Sequence, residues 1–405
     1  MRGPGAIVIG GYVNGLGIVR ALAAHGVPVA VVTTKPYDIA QRSRWTVAHC
    51  NVDGLEERPE SLLEALEAWS ARFAGWLVLP TNDEALAALS LHRARLATYR
   101  VVAPPWHVTR QLVDKSLLLD AARAVGVAVP RCYGPAVGAT VAAAELRFPV
   151  LVKPVVGYRF SARFGCKLFV ARDRRELQRC VDRLREADLD GEVFDLVPGA
   201  DDQLYAYCTY VDARGGAAAG VTVRKLRQSP PFFGVARVAE VVEPIPELRA
   251  ATLAVLGRIG FQGIAAAEFK RDPRDGRFVF LEVNGRAVLY NALLRAAGLD
   301  VAALAWSEHM TGAVELPPQH GWRGVWINLH ADLLYTMLAR RDERLRLSDV
   351  VAPYRRARIE AVWSACDPLP FLAQWGRSAR HGARALWDRE QRARLVRPSH
   401  LAPDP

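Results

Sequence analysis

Apolar runs that alternate with polar stretches predict strands and helices in turn over the first hundred residues. The run Ala6-Ile-Val-Ile-Gly10 is typical of a buried strand, and the apolar run at 27–33 predicts the next one. A helix is expected from about Ile18 to His25, because residues 11–17 are rich in glycine and predict a turn. This strand–helix–strand order predicts an α/β unit with a parallel sheet.

Glycines at the first turn of such a unit are also typical of dinucleotide-binding proteins. Their spacing here does not give G-x-G-x-x-G, and the second strand ends in Thr33-Thr34-Lys35 rather than in an acidic residue. A nicotinamide-linked enzyme therefore stays an alternative, although the dinucleotide-binding motif is incomplete.

Two apolar strands joined by a turn at 273–276 each carry one carboxylate. Glu268 and Glu282 lie on the two arms of this predicted hairpin, and Asn284 follows on the second arm. If the arms are in register, these oxygen ligands face a common point and suit Mg²⁺, which takes further ligands from water and phosphates. The alternative is a surface hairpin with solvated charges. The metal site is favoured because apolar residues flank Glu282, and a carboxylate in such a strand should be paired or bound to a metal.

Only six of the 53 basic residues are lysines, so each lysine deserves a specific explanation. Lys153 ends the apolar strand 148–154 and Lys167 opens the next strand, with a predicted loop at 155–165 between them. Two ammonium groups beside a loop suit a polyphosphate, although a chance cluster is the alternative. Arg286, just beyond the hairpin, could reach a phosphoryl oxygen.

Together with other fragments, these motifs resemble the ATP-grasp superfamily of ligases, which includes carboxylate–amine ligases and carbamoyl-phosphate-synthase-like enzymes. The matching fragments run in order from Leu112 to Arg286. They are Leu112-Val-Asp-Lys115, the helix exit Gly126-Val-Ala-Val-Pro130, the strand 148–154, Lys167, the hinge-like segment Glu192-Val-Phe-Asp-Leu-Val-Pro-Gly199, the set Glu268, Glu282 and Asn284, and Arg286.

The resemblance implies three kinds of nucleotide contact: ammonium groups on phosphates, hinge backbone on adenine and an acidic residue on ribose. The residues concerned are Lys115, Lys153 and Lys167, then the Asp195 carbonyl and the Val197 amide, then Asp201 or Asp202. Two features depart from the family pattern. Phe194 replaces a polar hinge residue, and the segment 155–165 is poor in glycine and carries two arginines.

The resemblance further implies a metal site, a catalytic pair and a reaction. Glu268, Glu282 and Asn284 would bind one or two Mg²⁺ ions, with Mn²⁺ as the alternative, and Arg286 and Lys225 would be catalytic. ATP would phosphorylate a substrate carboxylate, and an amine would then displace phosphate to form a C–N bond. A non-catalytic ATP-binding protein is the other alternative, which the intact metal set disfavours.

The predicted architecture combines α/β and α+β parts in three regions. A Rossmann-like pre-ATP-grasp domain is expected at 1–108, an ATP-grasp domain at 109–316 with a lid at about 129–193, and a carboxy-terminal extension with a basic tail at 317–405. In the resembling ligases the first domain faces the active site. Its substrate-contact candidates are Asn14, Thr81, Asp83 and Glu84, for which turn or capping duty, with Asn82 or Asp83 as the helix cap, is the competing role.

A cationic patch ends the predicted strand 217–227. Arg224, Lys225 and Arg227 stand there, followed by a loop rich in proline and phenylalanine at 228–234. Three cations beside such a loop suit a substrate carboxylate or phosphate. The alternative is a solvated strand end.

Composition and charge add limits to these predictions. The 405 residues carry a formal charge of +11 and six cysteines without metal-binding spacing, and no apolar run approaches a membrane span. We therefore expect a cytoplasmic protein without a nucleic-acid partner. The resemblance implies small-molecule carboxylate and amine substrates, and we leave a homodimer open. The arginine-rich tail at 374–397 could lie on an anionic membrane surface, but packing of one helical stripe on the protein is favoured.

Overall fold

The computed structural model describes residues 3–137, 141, 145–155, 157–229, 232–314, 321–339, 346–356 and 358–377. Within these ranges the strands form three sheets, of five, seven and four strands. No helix in the described ranges is both long enough and apolar enough to cross a membrane.

The amino-terminal sheet is wholly parallel, with strand order β3-β2-β1-β4-β5. Its strands are β1 Ala6–Ile9, β2 Val29–Thr33, β3 Thr46–Asn51, β4 Leu77–Pro80 and β5 Arg100–Val101. The accompanying helices are α1 Val13–Ala24, α2 Glu60–Trp69 and α3 Asp83–Leu91, with 3₁₀ turns at Ala40–Arg42 and Arg93–Leu96. Helices cover both faces. Ile7 and Ile9 share a core with leucines of α2 and α3, whereas Ala6 and Val8 share the other core with α1.

Helix α1 begins at Val13, five residues before the predicted start, so the glycine-rich turn prediction was wrong over 13–17. These glycines allow close packing instead. A Cβ on Gly15 would lie 2.1 Å from the Gly10 carbonyl oxygen, and a Cβ on Gly17 would lie 2.0 Å from Asn291 Oδ1. Side chains are absent here because the helix approaches its neighbours too closely to accommodate them.

The central sheet has strand order β14-β13-β10-β11-β12-β15-β16 and is antiparallel except between its last two strands. Its strands are β10 Leu204–Val211, β11 Ala217–Ser229, β12 Val235–Val241, β13 Gly263–Arg271, β14 Phe278–Asn284, β15 Val325–Ile327 and β16 Arg358–Glu360. Associated helices are α8 Pro246–Ile259, α9 Asn291–Ala296, α10 Val301–Thr311, α11 Leu329–Ala339 and α12 Leu347–Val351, with 3₁₀ turns at Asp201–Gln203 and Ala352–Arg355. The hairpin predicted from its apolar arms is confirmed as β13 and β14.

The third sheet is antiparallel, with order β6-β9-β7-β8, and falls largely in the region predicted as a lid. Its strands are β6 Cys132–Pro135, β7 Val150–Pro154, β8 Phe169–Ala171 and β9 Gly191–Asp195. Helices α4 Trp106–Val113 and α5 Lys115–Ala124 precede it, and α6 Gly157–Phe164 and α7 Arg174–Glu186 lie within it.

The loop predicted at 155–165 is instead largely helix α6. Phe160 and Phe164 are one helical turn apart, and both rings pack against Phe169, with centroids 4.8 and 5.1 Å away. This aromatic cluster stabilises a helix where the sequence pattern favoured a flexible clamp. Lys167 stands just before β8 rather than inside it, because the strand begins at Phe169.

The carboxy-terminal segment bonds to the amino-terminal sheet region. Asp367 Oδ2 accepts hydrogen bonds from Arg20 Nε at 3.0 Å and from Ser43 Oγ at 2.7 Å, and its Oδ1 accepts one from the Arg44 amide at 2.9 Å. Most of the basic tail predicted at 374–397, namely 378–397, lies outside the described residues.

Candidate active site

The β13–β14 hairpin places the two predicted acidic metal ligands opposite one another. Near the turn Phe269 pairs with Phe280, a register that would set Glu268 against Leu281. A β-bulge adds one residue to β14, and Glu268 pairs with Glu282 instead. Because directly paired residues point to the same face of a sheet, the bulge brings the two carboxylates together.

Asn284 joins this face, since it lies two residues beyond Glu282 on the same strand. Its Nδ2 donates to Glu268 Oε1 at 3.2 Å. Lys225 Nζ lies 2.6 Å from Glu268 Oε2, and Lys115 Nζ lies 3.2 Å from Glu282 Oε2. The structure thus brings together the three predicted metal ligands, and each carboxylate meets one ammonium group.

Positive charge surrounds the Glu282 carboxylate. Lys115 lowers the pKa of Glu282 well below its ordinary range; burial opposes this shift, and Lys167, Lys225 and Lys153 add to it. Burial also works against the charge on Lys115, but Glu282 keeps the pKa of Lys115 above its usual value. The Glu282 carboxylate is therefore ionised at neutral pH and can bind a cation.

Two carboxylates and one amide make an oxygen-rich ligand set. In the parts of the chain that the structure describes, no three or more His, Cys, Asp or Glu side chains form a metal-binding group, so Asn284 completes the candidate set. Such a partial set fits Mg²⁺, which keeps several waters and bonds to substrate phosphates.

A cavity next to this pair, here named the lysine cavity, gathers most of the predicted nucleotide residues. It is lined by Lys115, Lys153, Lys167, Asp195, Val197, Glu268 and Glu282, with apolar walls from Pro130, Leu151, Leu168, Leu196, Leu204, Leu281 and Phe233. Burial, followed by the nearby Lys115, lowers the pKa of Lys153 to about 8, and burial also lowers the pKa of Lys167. For both lysines, burial outweighs the stabilisation that the Glu282 carboxylate gives to the ammonium group.

Two further features of the lysine cavity escaped the sequence predictions. The sequence singled out Phe194 only because it replaces a polar residue of the family pattern. Its ring centroid lies 5.3 Å from Lys153 Nζ, as in a cation–π pair. Lys270 also lines the cavity, and burial lowers its pKa to about 8. The available signal was its position two residues beyond Glu268, which puts both side chains on one face of β13.

The predicted ribose-binding acids lie elsewhere. Asp201 is buried and accepts hydrogen bonds from the Gln228 amide at 2.7 Å, from Gln228 Nε2 at 2.8 Å and from the Phe232 amide at 2.8 Å. Asp202 lines a neighbouring cleft that shares only Phe232 with the lysine cavity. Neither acid is therefore brought to the lysine cavity with the other nucleotide candidates.

A second cavity of about 370 Å³, the amino-terminal cleft, opens towards the parallel sheet. It is lined by the substrate candidates Asn14, Thr81, Asp83 and Glu84, by Arg286 and Asn284, and by Lys115, Lys167 and Glu282, which also line the lysine cavity. Arg286 donates from Nε to Asp83 Oδ1 at 2.7 Å and from Nη2 to Asp83 Oδ2 at 3.0 Å. Asn82, rather than Asp83, caps α3, because its side chain accepts from the Ala85 amide at 2.8 Å.

Residues of the amino-terminal cleft that the sequence did not single out include an aromatic pair and a lysine. Tyr12 and Tyr37 meet edge to face with ring centroids 5.1 Å apart, and burial raises the pKa of Tyr37 to about 12. Lys35 pairs with Glu56 and lies 3.9 Å from Glu84.

The cationic patch predicted at the end of β11 does not form one site. Lys225 faces Glu268, but Arg224 donates from Nε to Glu240 at 2.8 Å. Arg227 binds Asp332 through Nε and Nη2 at 2.8 and 2.6 Å. Neighbouring residues alternate between the faces of a strand, and bulges further rotate the end of β11, so Lys225 separates from Arg224 and Arg227, which bind different carboxylates.

Comparisons with known proteins support the same fold. No family model matches the chain. A D-aspartate ligase of Enterococcus faecium is 23% identical over 268 residues, which cover 62% of this chain and 63% of that relative, so the chain spans less than two thirds of the relative's length.

Two solved structures share most of the architecture. An L-amino acid ligase from Bacillus licheniformis has a TM-score of 0.59 and 16% identity, covering 78% of this chain and 78% of that one. The biotin carboxylase domain of the Hydrogenobacter thermophilus 2-oxoglutarate carboxylase, in complex with MgADP, ADP and bicarbonate, has a TM-score of 0.60 and 17% identity, covering 79% and 73%. The resemblance found in the sequence is thereby confirmed, and the chain has the ATP-grasp fold.

Proposed function

We propose that this protein is an ATP-dependent ligase that activates a substrate carboxylate as an acyl phosphate and joins it to an amine. The observation that carries the proposal is the junction of two cavities at Lys115, Lys167 and Glu282. A triphosphate in the lysine cavity would end at this junction, where a carboxylate held in the amino-terminal cleft could meet its last phosphate.

Each wall of the lysine cavity supports a specific nucleotide contact. Lys153 and Lys167 would hold the α- and β-phosphates, because both line the cavity and burial lowers their pKa values more than Glu282 raises them. The Asp195 carbonyl and the Val197 amide would face adenine, since both residues line the cavity together with Leu196.

The carboxylate pair would supply the metal chemistry. Glu268, Glu282 and Asn284 would hold Mg²⁺, which neutralises developing charge on transferring phosphates when it is bound. On binding, Lys115 and Lys225 would turn from these carboxylates to phosphate oxygens, because a cation between the acids takes over their charge compensation.

The transfer itself would depend on positioning and electrostatics rather than on a protein nucleophile. The substrate carboxylate oxygen attacks the γ-phosphorus, ADP leaves, and an acyl phosphate forms; the amine then attacks the acyl carbon and phosphate leaves. Arg286 would stabilise the transferring phosphoryl group, with Asp83 fixing its guanidinium. The amine loses a proton during the second step, and released phosphate or solvent can accept it.

The substrates of the named relatives suggest amino acids as one or both partners. One relative is a D-aspartate ligase and one structural neighbour is an L-amino acid ligase. The amino-terminal cleft offers both signs of charge, with Arg286 and Lys35 as cations and Glu84 and Asp38 as anions. Such a mixture suits a zwitterionic substrate better than a purely anionic one.

The predicted domains fit this scheme. We propose that 1–108 is a Rossmann-like domain that binds substrate, that 109–316 is the catalytic ATP-grasp domain, and that the four-stranded sheet of β6 to β9 moves as the lid. Lid closure would exclude water from the acyl phosphate, which hydrolyses readily.

The test is phosphate release from Mg·ATP by the full chain, with amino acids supplied singly and in pairs. Stimulated ADP formation is expected for at least one pair, and Lys153→Ala should abolish it. Arg271→Ala, which removes an exposed cation from β13, is the matched control and should keep activity. Activity retained in Lys153→Ala, or thermal stabilisation by NAD(P)H but not by Mg·ATP, would overturn the proposal.

A further inference from the structure

A third cavity, here named the rear cleft, has a volume of about 410 Å³ and lies on the opposite face of the central sheet from the lysine cavity. The opposition follows from β11. Lys225 points to Glu268 and the lysine cavity, whereas the preceding residue, Arg224, pairs with Glu240 in the rear cleft. The volume lies in the range of ordinary small-molecule sites.

Two guanidinium groups in the rear cleft share one carboxylate. Arg224 donates from Nε and Nη2 to Glu240 Oε1 at 2.8 and 2.5 Å, and Arg356 Nη1 donates to Glu240 Oε2. Glu240 is only 3% exposed, but the side chains of Arg224 and Arg356 are 35% and 48% exposed. The buried carboxylate therefore fixes two accessible cations and leaves one positive charge uncompensated.

Two other charged residues of the rear cleft, Asp201 and Arg227, are already saturated. Asp201 accepts from the Gln228 and Phe232 segments, as described above. Arg227 uses Nε and Nη2 on Asp332 and Nη1 on the Asp349 carbonyl at 3.0 Å. These groups build the walls and have little capacity for a ligand.

Two groups keep free capacity. Arg356 Nε and Nη2 bond to none of the described residues, so one edge of the half-exposed guanidinium fork has no partner among them. Asp202 accepts from Gln203 Nε2 through Oδ1 at 3.1 Å, and its Oδ2 accepts from no described residue. The floor between these polar groups is apolar, from Leu226, Phe232, Ala352 and Pro353.

We propose that the rear cleft is a second ligand site, distinct from the active site, and that it binds a small amino acid. The ligand carboxylate would take the free edge of Arg356 with Arg224 beside it, which is the planar two-bond geometry that arginine offers to carboxylates. The ligand ammonium would donate to Asp202 Oδ2. An apolar side chain would lie on the floor.

The rear cleft borders the active site without entering it. Arg224 and Lys225 are consecutive on β11, and Phe232 lines both the rear cleft and the lysine cavity. Phe232 also has a φ of 69°, a left-handed conformation that non-glycine residues adopt only when other contacts hold them, here the bond from its amide to Asp201. An occupant of the rear cleft would therefore contact the strand that carries Lys225.

The test is calorimetric titration of the full chain with each of the twenty L-amino acids, in the presence of saturating MgADP. We expect at least one amino acid to bind, with affinity reduced tenfold or more in Arg356→Gln. Arg355→Gln removes the adjacent exposed arginine, which does not line the rear cleft, and should bind as the wild type does. Glu282→Gln should also keep this binding, because it alters only the active site.

A second variant tests the zwitterion. Asp202→Asn should weaken the amino acid tenfold but leave acetate, which lacks an ammonium group, unaffected. Equal amino-acid binding by wild type and Arg356→Gln, loss of binding in Glu282→Gln, or binding of inorganic phosphate without any amino acid would each overturn the proposal. Arg224→Gln provides a second removal of cleft charge, and thermal unfolding of each variant identifies any that fails to fold.

Discussion

Two ionic clusters on the central sheet hold their charges in contrasting ways. In the rear cluster Arg227, Arg237 and Tyr354 all converge on Asp332: Arg227 binds it at 2.6 and 2.8 Å, Arg237 Nε lies 3.1 Å from Oδ1, and the Tyr354 hydroxyl donates to Oδ2 at 2.6 Å. Burial, followed by this hydrogen bond, raises the pKa of Tyr354. Two rigid guanidinium groups and one hydroxyl thus enclose a single buried carboxylate.

The front cluster uses lysines and leaves charge in excess. Glu268 and Glu282 face five ammonium groups around the lysine cavity or beside it: Lys115, Lys153, Lys167, Lys225 and Lys270. Those of Lys153 and Lys270 have pKa values near 8 because burial outweighs their partners. The contrast teaches that both guanidinium groups of the rear cluster contact their one carboxylate, whereas the front cluster has more ammonium groups than its two carboxylates contact.

The largest expected effect is on stability, and it comes from removing the central carboxylate of the rear cluster. Asp332→Asn should lower the free energy of unfolding by ~3–5 kcal/mol, because removing one partner leaves buried guanidinium charge uncompensated. Denaturant unfolding measures this loss. Asp275→Asn, which alters an exposed ion pair with Arg277, is the control and should change little. If Asp332→Asn lost turnover at unchanged stability, the rear cluster would be functional and the contrast would fail.

The next largest effect is on catalysis, and it comes from removing one carboxylate of the front cluster. Glu282→Gln keeps the shape of the side chain but removes a proposed metal ligand and the partner of Lys115. Turnover should fall by about 10²–10³-fold, the usual cost of losing one main electrostatic contact to a phosphoryl transfer. Phosphate release measures it, with exposed Glu247→Gln as the control. Unchanged turnover would show that the carboxylate pair is structural, like Asp332.

The sequence pattern predicts the strands of the front cluster, but the meeting of its two carboxylates depends on one β-bulge. The apolar arms and the turn predict the β13–β14 hairpin correctly, because alternation and turn residues are local signals. The regular register near the turn would nevertheless put Glu268 and Glu282 on opposite faces. Only the extra residue in β14 reunites them, and a bulge has no signal in the alternation itself. The resemblance to a family supplied what the local pattern lacked.

The failures have a common physical cause in long-range partners. Arg224 and Arg227 look alike in sequence, but Asp332, 105 residues away, takes Arg227, and Glu240 takes Arg224. Helix α6 replaced a predicted loop because its aromatic side chains meet Phe169 on another strand. Tertiary packing determines which carboxylate an arginine binds and whether such a segment is helical. Neither the periodicity of the sequence nor the residue types reveal this packing.

A smaller effect is the pH dependence of the free energy of unfolding, which tests whether Lys153 lacks a strong partner. The pKa of Lys153 is about 8 when folded and near 10.5 when unfolded, so between these values the unfolded chain binds more protons. The free energy of unfolding of the unliganded protein should therefore rise as pH increases from about 8, as deprotonation relieves the buried charge. Lys153→Met should gain about 1 kcal/mol at pH 7, since an apolar group replaces a buried ion, and its rise with pH should be smaller.

Denaturant unfolding at pH 7, 8 and 9 checks this prediction. Lys270 shifts in the same direction and stays in the variant, so part of the rise should persist. A stability that is lost rather than gained in Lys153→Met would mean that Lys153 is held by a partner, as the rear arginines are.

The smallest effect concerns the junction between the front cluster and the amino-terminal sheet. Asp83 lies at the start of α3 and holds the Arg286 fork by two hydrogen bonds across 203 residues of sequence. Burial opposes the charge on Arg286, but Asp83 raises its pKa, so the arginine stays charged and oriented. Asp83→Asn removes the charge and one acceptor, and kcat should fall about tenfold while KM for ATP stays unchanged, because the proposed nucleotide contacts of Lys153 and Lys167 would remain. Asp53→Asn, an exposed acid outside the amino-terminal cleft, is the control. A higher KM for ATP at constant kcat would instead indicate that Arg286 binds the nucleotide. The front cluster would then include Arg286 and its partner Asp83 on α3.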